Sequence, residues 1–146
     1  LFPENLVIPR NAPKKEKHIA GPEDIRKLFT LSTTYWHLAE RPDWYIHAYR
    51  FAVLTGLRPG ELLGLRWSDV TDERITIRRS YNDDGELTSG KNENAHRTLA
   101  LQGLAQQELE AQRDMLRRNA IVSPYIFPSP ESEVTAQKRY RNSWKR

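Results

Sequence analysis

The segment TGLRPGELLGLRWSDV, residues 55–70, constrains the fold more than any other part of the chain. Gly56 follows an apolar helical stretch, at the place where helices commonly close in a left-handed turn. Pro59 then suits the first turn of a new helix, where a backbone N–H would lack an internal partner anyway. Leu62, Leu63, Leu65 and Trp67 give that helix an apolar face before SDVT closes it. Two helices must therefore meet across a very short turn.

The flanking sequence extends this pattern in both directions. IAGPEDIRKLF reads as a helix start, with Pro22 in the first turn, Glu23 and Asp24 near the positive end, and Ile25, Leu28 and Phe29 on one face. Asp43 to Leu54 is a second helix, presenting Trp44, Ile46, Ala48, Tyr49, Ala52 and Val53 as a largely buried surface. From Arg74 the period changes to two: Ile75 and Ile77 alternate with Thr76 and Arg78, NDDG (82–85) turns, and ELTSGK returns. RTLAL (97–101) is a third strand, and a polar helix runs from about Leu104 to Asn119. YIFPSP (125–130) reads as a short buried strand, and a basic helix from about Thr135 places Tyr140 and Trp144 four residues apart. The expected class is α+β, mainly helical, with a small three-stranded antiparallel sheet.

Composition narrows the function classes. The 146 residues suffice for one domain with a real core. No apolar run approaches the roughly 18 residues of a membrane span, and no signal-peptide core opens the chain. The absence of cysteine excludes disulfides, thiolate catalysis and cysteine-ligated zinc, and it suits a reducing cytoplasm. His18, His37, His47 and His96 lack metal-ligand spacing. A net charge of +4 invites a nucleic-acid reading, but its distribution tempers it. Residues 138–146 hold five bases and no acid, and residues 1–17 hold four bases against two acids, whereas 18–137 carry 14 bases and 17 acids. The excess lies at the ends.

Residues 1–17, with Pro3, Pro9, Pro13 and then PKKEK, read as a linker or arm entering the domain. The chain opens on Leu1, its one methionine is Met115, and it stops at Arg146 within a basic, helix-like stretch. Both ends read as cut, so 18–146 is expected to be a partial domain that is truncated after its last residue.

Two basic residues stand out chemically. With Pro59 at the first helical position, Arg58 sits at or beside the N-cap, where a cation opposes the helix dipole and offers no capping acceptor. A guanidinium beside free helix N–H groups suits a bound phosphate. The alternative is a solvent-facing arginine in a Gly-Pro turn. Glu61, one turn in, is placed to orient or partly offset that charge. Lys91, in the polar stretch SGKNENAH (89–96), fits a phosphate contact or a proton donor, or else an ordinary solvated loop lysine.

This order of features resembles the tyrosine site-specific recombinases, also called phage integrases. Members read T-G-(L/M)-R-x-x-E-(L/I)-x-x-L-x-W-x-D, then K-T-x-x-S-x-R-x-(I/V)-P-L on a hairpin. Here Lys91 takes the place of the hairpin lysine and Arg97 that of the later arginine, with Asn92 for the usual Thr and Ala100 for the usual Pro. IAGPEDIRKLF resembles the entrance to the family's catalytic domain and YIFPS a later strand, so the resemblance spans roughly residues 18–137.

The resemblance implies a mechanism without metal or nucleotide cofactor. A tyrosine attacks a DNA phosphodiester, forms a 3′-phosphotyrosyl link and releases a 5′-hydroxyl. Arginines stabilise the phosphorane, and the hairpin lysine protonates the leaving oxygen. Carried over, Arg58 is the first phosphate-binding arginine, Lys91 the general acid and Glu61 a supporting residue. Arg97, His96, Lys138, Arg139 and Arg141 are the expected DNA contacts. The family's His-x-x-Arg motif, its later His or Trp and its nucleophilic Tyr are expected beyond Arg146, so this chain alone is expected to be inactive. His47-Ala48-Tyr49-Arg50 fits His-x-x-Arg but precedes Arg58, on a helix whose apolar residues point to packing. Tyr140 likewise reads as a packing or stacking residue. The implied partner is double-stranded DNA, with the whole protein a tetramer on DNA and this chain a monomer. The alternative is a non-catalytic DNA-binding module on the same scaffold, in which the tail KRYRNSWKR supplies the contacts.

Overall fold

The computed structural model describes residues 20–36, 39–88, 96–131 and 133–144. Lys91 therefore lies outside the described residues, as does the proposed arm at 1–17. The elements run α1 (Pro22–Thr30), β1 (Thr33–Trp36), β2 (Ala39–Pro42), α2 (Ile46–Thr55) and α3 (Pro59–Leu63), then a 3-10 turn at Trp67–Asp69. There follow β3 (Arg74–Ile77), β4 (Ser80–Tyr81), β5 (Leu87–Thr88), β6 (Arg97–Ala100), α4 (Gly103–Arg118) and α5 (Gln137–Trp144). The α+β, mainly helical reading holds.

The helices begin where their capping chemistry predicts. In α1 the Asp24 carboxylate accepts the Gly21 N–H at 2.9 Å, and Pro22 occupies the first turn. The second helix starts later than the sequence pattern indicates, because Asp43 Oδ1 accepts the Tyr45 N–H at 2.9 Å and holds residues 43–45 in a turn. It ends on Gly56 at φ 66°, the left-handed closure that glycine adopts without a Cβ clash.

The strands differ from expectation. Among the described residues they form three two-stranded antiparallel ladders, β1–β2, β3–β6 and β4–β5, rather than one three-stranded sheet. β3 and β4 are separated at Arg78 and Arg79, whose side chains turn to the buried Asp69 instead of continuing the ladder. Residues 125–130 are not a strand either. Tyr125 makes a single bridge to Arg66, and the Ile126 N–H donates to the Leu65 carbonyl at 3.0 Å. The hairpin β1–β2 was not expected. β2 is exposed throughout, so it carries no apolar alternation for a sequence reading to detect.

One core joins these pieces. Phe51 of α2 meets Phe127 with ring centroids 5.6 Å apart, and Leu62 and Leu63 of α3, Ile75 and Ile77 of β3, and Ala105 and Leu109 of α4 close around them. The alternating burial of β3 puts both isoleucines inward and leaves Thr76 to meet Thr98 across the ladder at 3.2 Å. This core fixes α3 against α2, β4 and α5, and so sets the surroundings of Arg58.

Candidate functional site

Arg58 caps α3 with extended backbone, φ −68° and ψ 148°, and its side chain is exposed. The flanking Leu57, Leu62 and Leu63 are buried, so the apolar neighbours anchor the segment and the guanidinium is left outside. Gly60 makes this seat possible. A Cβ there would lie 2.5 Å from Ser80 Oγ and 2.6 Å from Gln137 Nε2, and closer still to the Tyr81 carbonyl. Only a glycine lets α3 press this closely on β4 and α5.

Glu61 is the hub of the site. It is buried, and its Oε2 accepts the Arg58 backbone N–H at 3.1 Å, half of a capping box. Both its oxygens also accept from Arg97, Nη1 to Oε1 and Nη2 to Oε2, each at 2.8 Å. This is the parallel two-bond fork that makes arginine–carboxylate pairs strong and directional. The Arg97 guanidinium holds the Glu61 carboxyl below its ordinary range, with the Arg58 N–H helping, against the opposing effect of burial. Glu61 therefore touches Arg58 through the backbone and ion-pairs with Arg97. The structure brings Arg58, Glu61 and Arg97 together, with His96 exposed one residue before Arg97.

A second carboxylate repeats the arrangement. Asp69, buried, accepts the Arg66 N–H at 2.9 Å and pairs with Arg79 at 2.5 Å and Arg78 at 3.4 Å. Arg79 also donates to the Gly64 carbonyl at 3.1 Å. Sequence alone gives Asp69 no assigned role. The available signal was local: Arg66-Trp-Ser-Asp69 repeats the spacing of Arg58-Pro-Gly-Glu61. Beside it, Arg66 donates to the Tyr125 hydroxyl at 3.2 Å, and the Tyr125 and Tyr81 hydroxyls are 2.9 Å apart.

The remaining basic candidates lie on α5. Arg139 pairs with Glu131 at 2.6 Å and Arg141 with Asp83 at 2.8 Å, while the Lys138 side chain is exposed. Arg139 pulls the exposed Glu131 carboxyl down to about 2, with a hydrogen bond from Ser129 assisting. Tyr140 turns inward and packs edge-on against Tyr45 at 5.9 Å and tilted against Tyr49 at 5.0 Å. Burial raises the pKa of all three phenols, Tyr45, Tyr49 and Tyr140.

His47 and Arg50 are structural. His47 Nδ1 lies 2.7 Å from Glu108 Oε2, and Arg50 donates to the carbonyls of Leu28 and Leu31 at 2.9 Å each. They tie α2 to α4 and α1, as the packing reading of the His-x-x-Arg match expects. Among the described residues no cluster of His, Asp and Glu is arranged to hold a metal ion, and no helix is long and apolar enough to cross a membrane.

The phage integrase family model matches residues 22–146. The chain belongs to the phage integrase family, the tyrosine recombinases, and so stands among site-specific recombinases and integrases. No curated protein matches it significantly.

Proposed function

We propose that residues 18–146 are part of the catalytic domain of a DNA strand-exchange enzyme, with residues 1–17 an arm leading into it. Arg58 binds the scissile phosphate, Lys91 donates the proton to the leaving 5′-oxygen, and Glu61 supports Arg58. A tyrosine oxygen bonds to phosphorus as the P–O5′ bond breaks, giving a 3′-phosphotyrosyl link. The nucleophile and the second arginine are assigned to no residue here, and the chain binds duplex DNA as a monomer. The recombinase acts as a tetramer on DNA, in the cytoplasm, without metal or cofactor.

The observation that carries this reading is the exposed Arg58 guanidinium, seated through its backbone on the buried Glu61, which Arg97 grips. An exposed guanidinium with no ion pair among the described residues is poised for an external anion. The test is duplex binding at low salt. Arg58→Ala with Lys91→Ala should weaken binding and flatten the log K against log salt plot by about two, near one per lost phosphate contact. Unchanged affinity and slope would remove both roles.

The alternative, in which the α5 tail makes the main contacts, is disfavoured by two facts. Arg139 and Arg141 are already ion-paired, and Tyr140 faces the core rather than a base.

A further inference from the structure

The stretch that leaves the core after β3 and returns at β6 is fastened at both ends to the 58–69 segment. Arg79 and Arg78 hold its start on Asp69, and Arg97 holds its return on Glu61. In each unit an arginine starts a helical turn, an acid three residues on takes that arginine's N–H, and an arginine from the strand region pairs with the acid.

From this juxtaposition we propose that Arg97 is a positioning residue rather than a DNA contact. Its fork onto Glu61 holds α3 and β6 in one orientation, and Glu61 passes that orientation to the Arg58 backbone, which aims the exposed guanidinium. This inference rests on the reading of Arg58 as a phosphate ligand.

A two-bond arginine–carboxylate pair fixes rotation as well as distance, which a single ammonium contact does not. The pair spans 36 residues of sequence, so it joins two elements that nothing local holds together. The Nη1 and Nη2 donors of Arg97 are both engaged with Glu61, which leaves Arg58 the outward-facing cation of the group.

The two roles for Arg97 predict opposite signs for one substitution. Glu61→Gln removes a negative charge beside the site and frees the Arg97 fork. If Arg97 were a phosphate contact, the added positive potential would tighten DNA binding. A positioning role predicts the reverse, a loss of about tenfold, because the two-bond fork on Glu61 is broken and Arg58 loses its orientation. Arg97→Lys keeps the charge and removes the fork, and it should lose affinity similarly.

The experiment uses the 146-residue chain and a short fluorescently labelled DNA duplex at about 50 mM salt, where phosphate contacts weigh most. Thermal melting accompanies every variant. If Glu61→Gln fails to fold, Arg97→Lys carries the test, since that side chain is 38% exposed and its replacement keeps the charge. Losses in both variants that vanish in an Arg58→Ala background support the proposal. Tighter or unchanged binding in Glu61→Gln overturns it, as does wild-type binding in Arg97→Lys. Losses that persist in full without Arg58 reduce the pair to a structural tie and overturn it as well. If Arg58→Ala alone leaves affinity unchanged, the phosphate reading itself fails and the pair has nothing to aim.

Discussion

At the scale of single residues, the site depends on one missing Cβ and one buried carboxylate. Gly60→Ala pushes a methyl into the Tyr81 carbonyl, Ser80 Oγ and Gln137 Nε2, the first of them backbone fixed in the β4–β5 ladder. The expected cost is about 1–3 kcal/mol, the range for overpacking a tight contact, read as a lower urea midpoint at unchanged slope. Glu61 carries a pH signature. Its folded pKa lies below the ordinary carboxyl value of 4.5, so its stabilising contribution is fully present above that value and is lost as pH falls through the lower folded one. Melting temperature measured from pH 6 down to pH 3 should therefore fall more steeply in the wild type than in Glu61→Gln. Parallel curves would mean that the Arg97 pair contributes no linkage.

At the scale of elements, α2 is the axle of the fold and α5 its clasp. α2 buries Ala48 and Phe51 and reaches α4 through His47 and Glu108. Phe51→Ala should cost about 3–5 kcal/mol, because Phe127 and its neighbours relax only partly into the space left behind. Differential denaturation measures it, and a cost near that of a surface change would contradict the packing assigned here. On α5 the polar and apolar faces separate. Changing Lys138, Arg139 and Arg141 to Gln removes two exposed, solvent-screened ion pairs of a kind that contributes little to stability, so the fold should persist. DNA affinity should then drop less than in Arg58→Ala. The opposite ranking would favour the tail as the main contact.

At the scale of the whole molecule, the basic excess and the core are linked through one helix. α5 carries part of the terminal positive charge and also seals Tyr45 and Tyr49 with Tyr140. Deleting residues 137–146 should therefore lose cooperative melting, visible as a broad thermal transition by circular dichroism. Loss of DNA binding in that deletion would report unfolding rather than lost contacts, which is why charge-neutralising substitutions are the informative variants. The 18–137 body is mildly acidic, so the proposed DNA binding would rest on individually placed cations such as Arg58 rather than on net charge there.

The helices were legible from local signals, because caps, prolines and apolar spacing act within one or two turns, although α2 starts at Ile46 and α3 ends at Leu63, short of the expected Trp67. Gly56 closing α2, Pro59 opening α3, and the proximity of Glu61 to the Arg58 N–H three residues away all follow from local geometry. Tertiary structure alone decided that Arg97 grips Glu61, that Arg78 and Arg79 break the β3–β4 run to reach Asp69, and that residues 125–130 make one bridge instead of a strand. Those contacts join residues that lie 9 to 59 positions apart. Their partners are chosen by which apolar faces the core buries and by the register that burial imposes on β3 and β6. An arginine's place in the chain says that it carries charge, whereas the fold determines which carboxylate it meets.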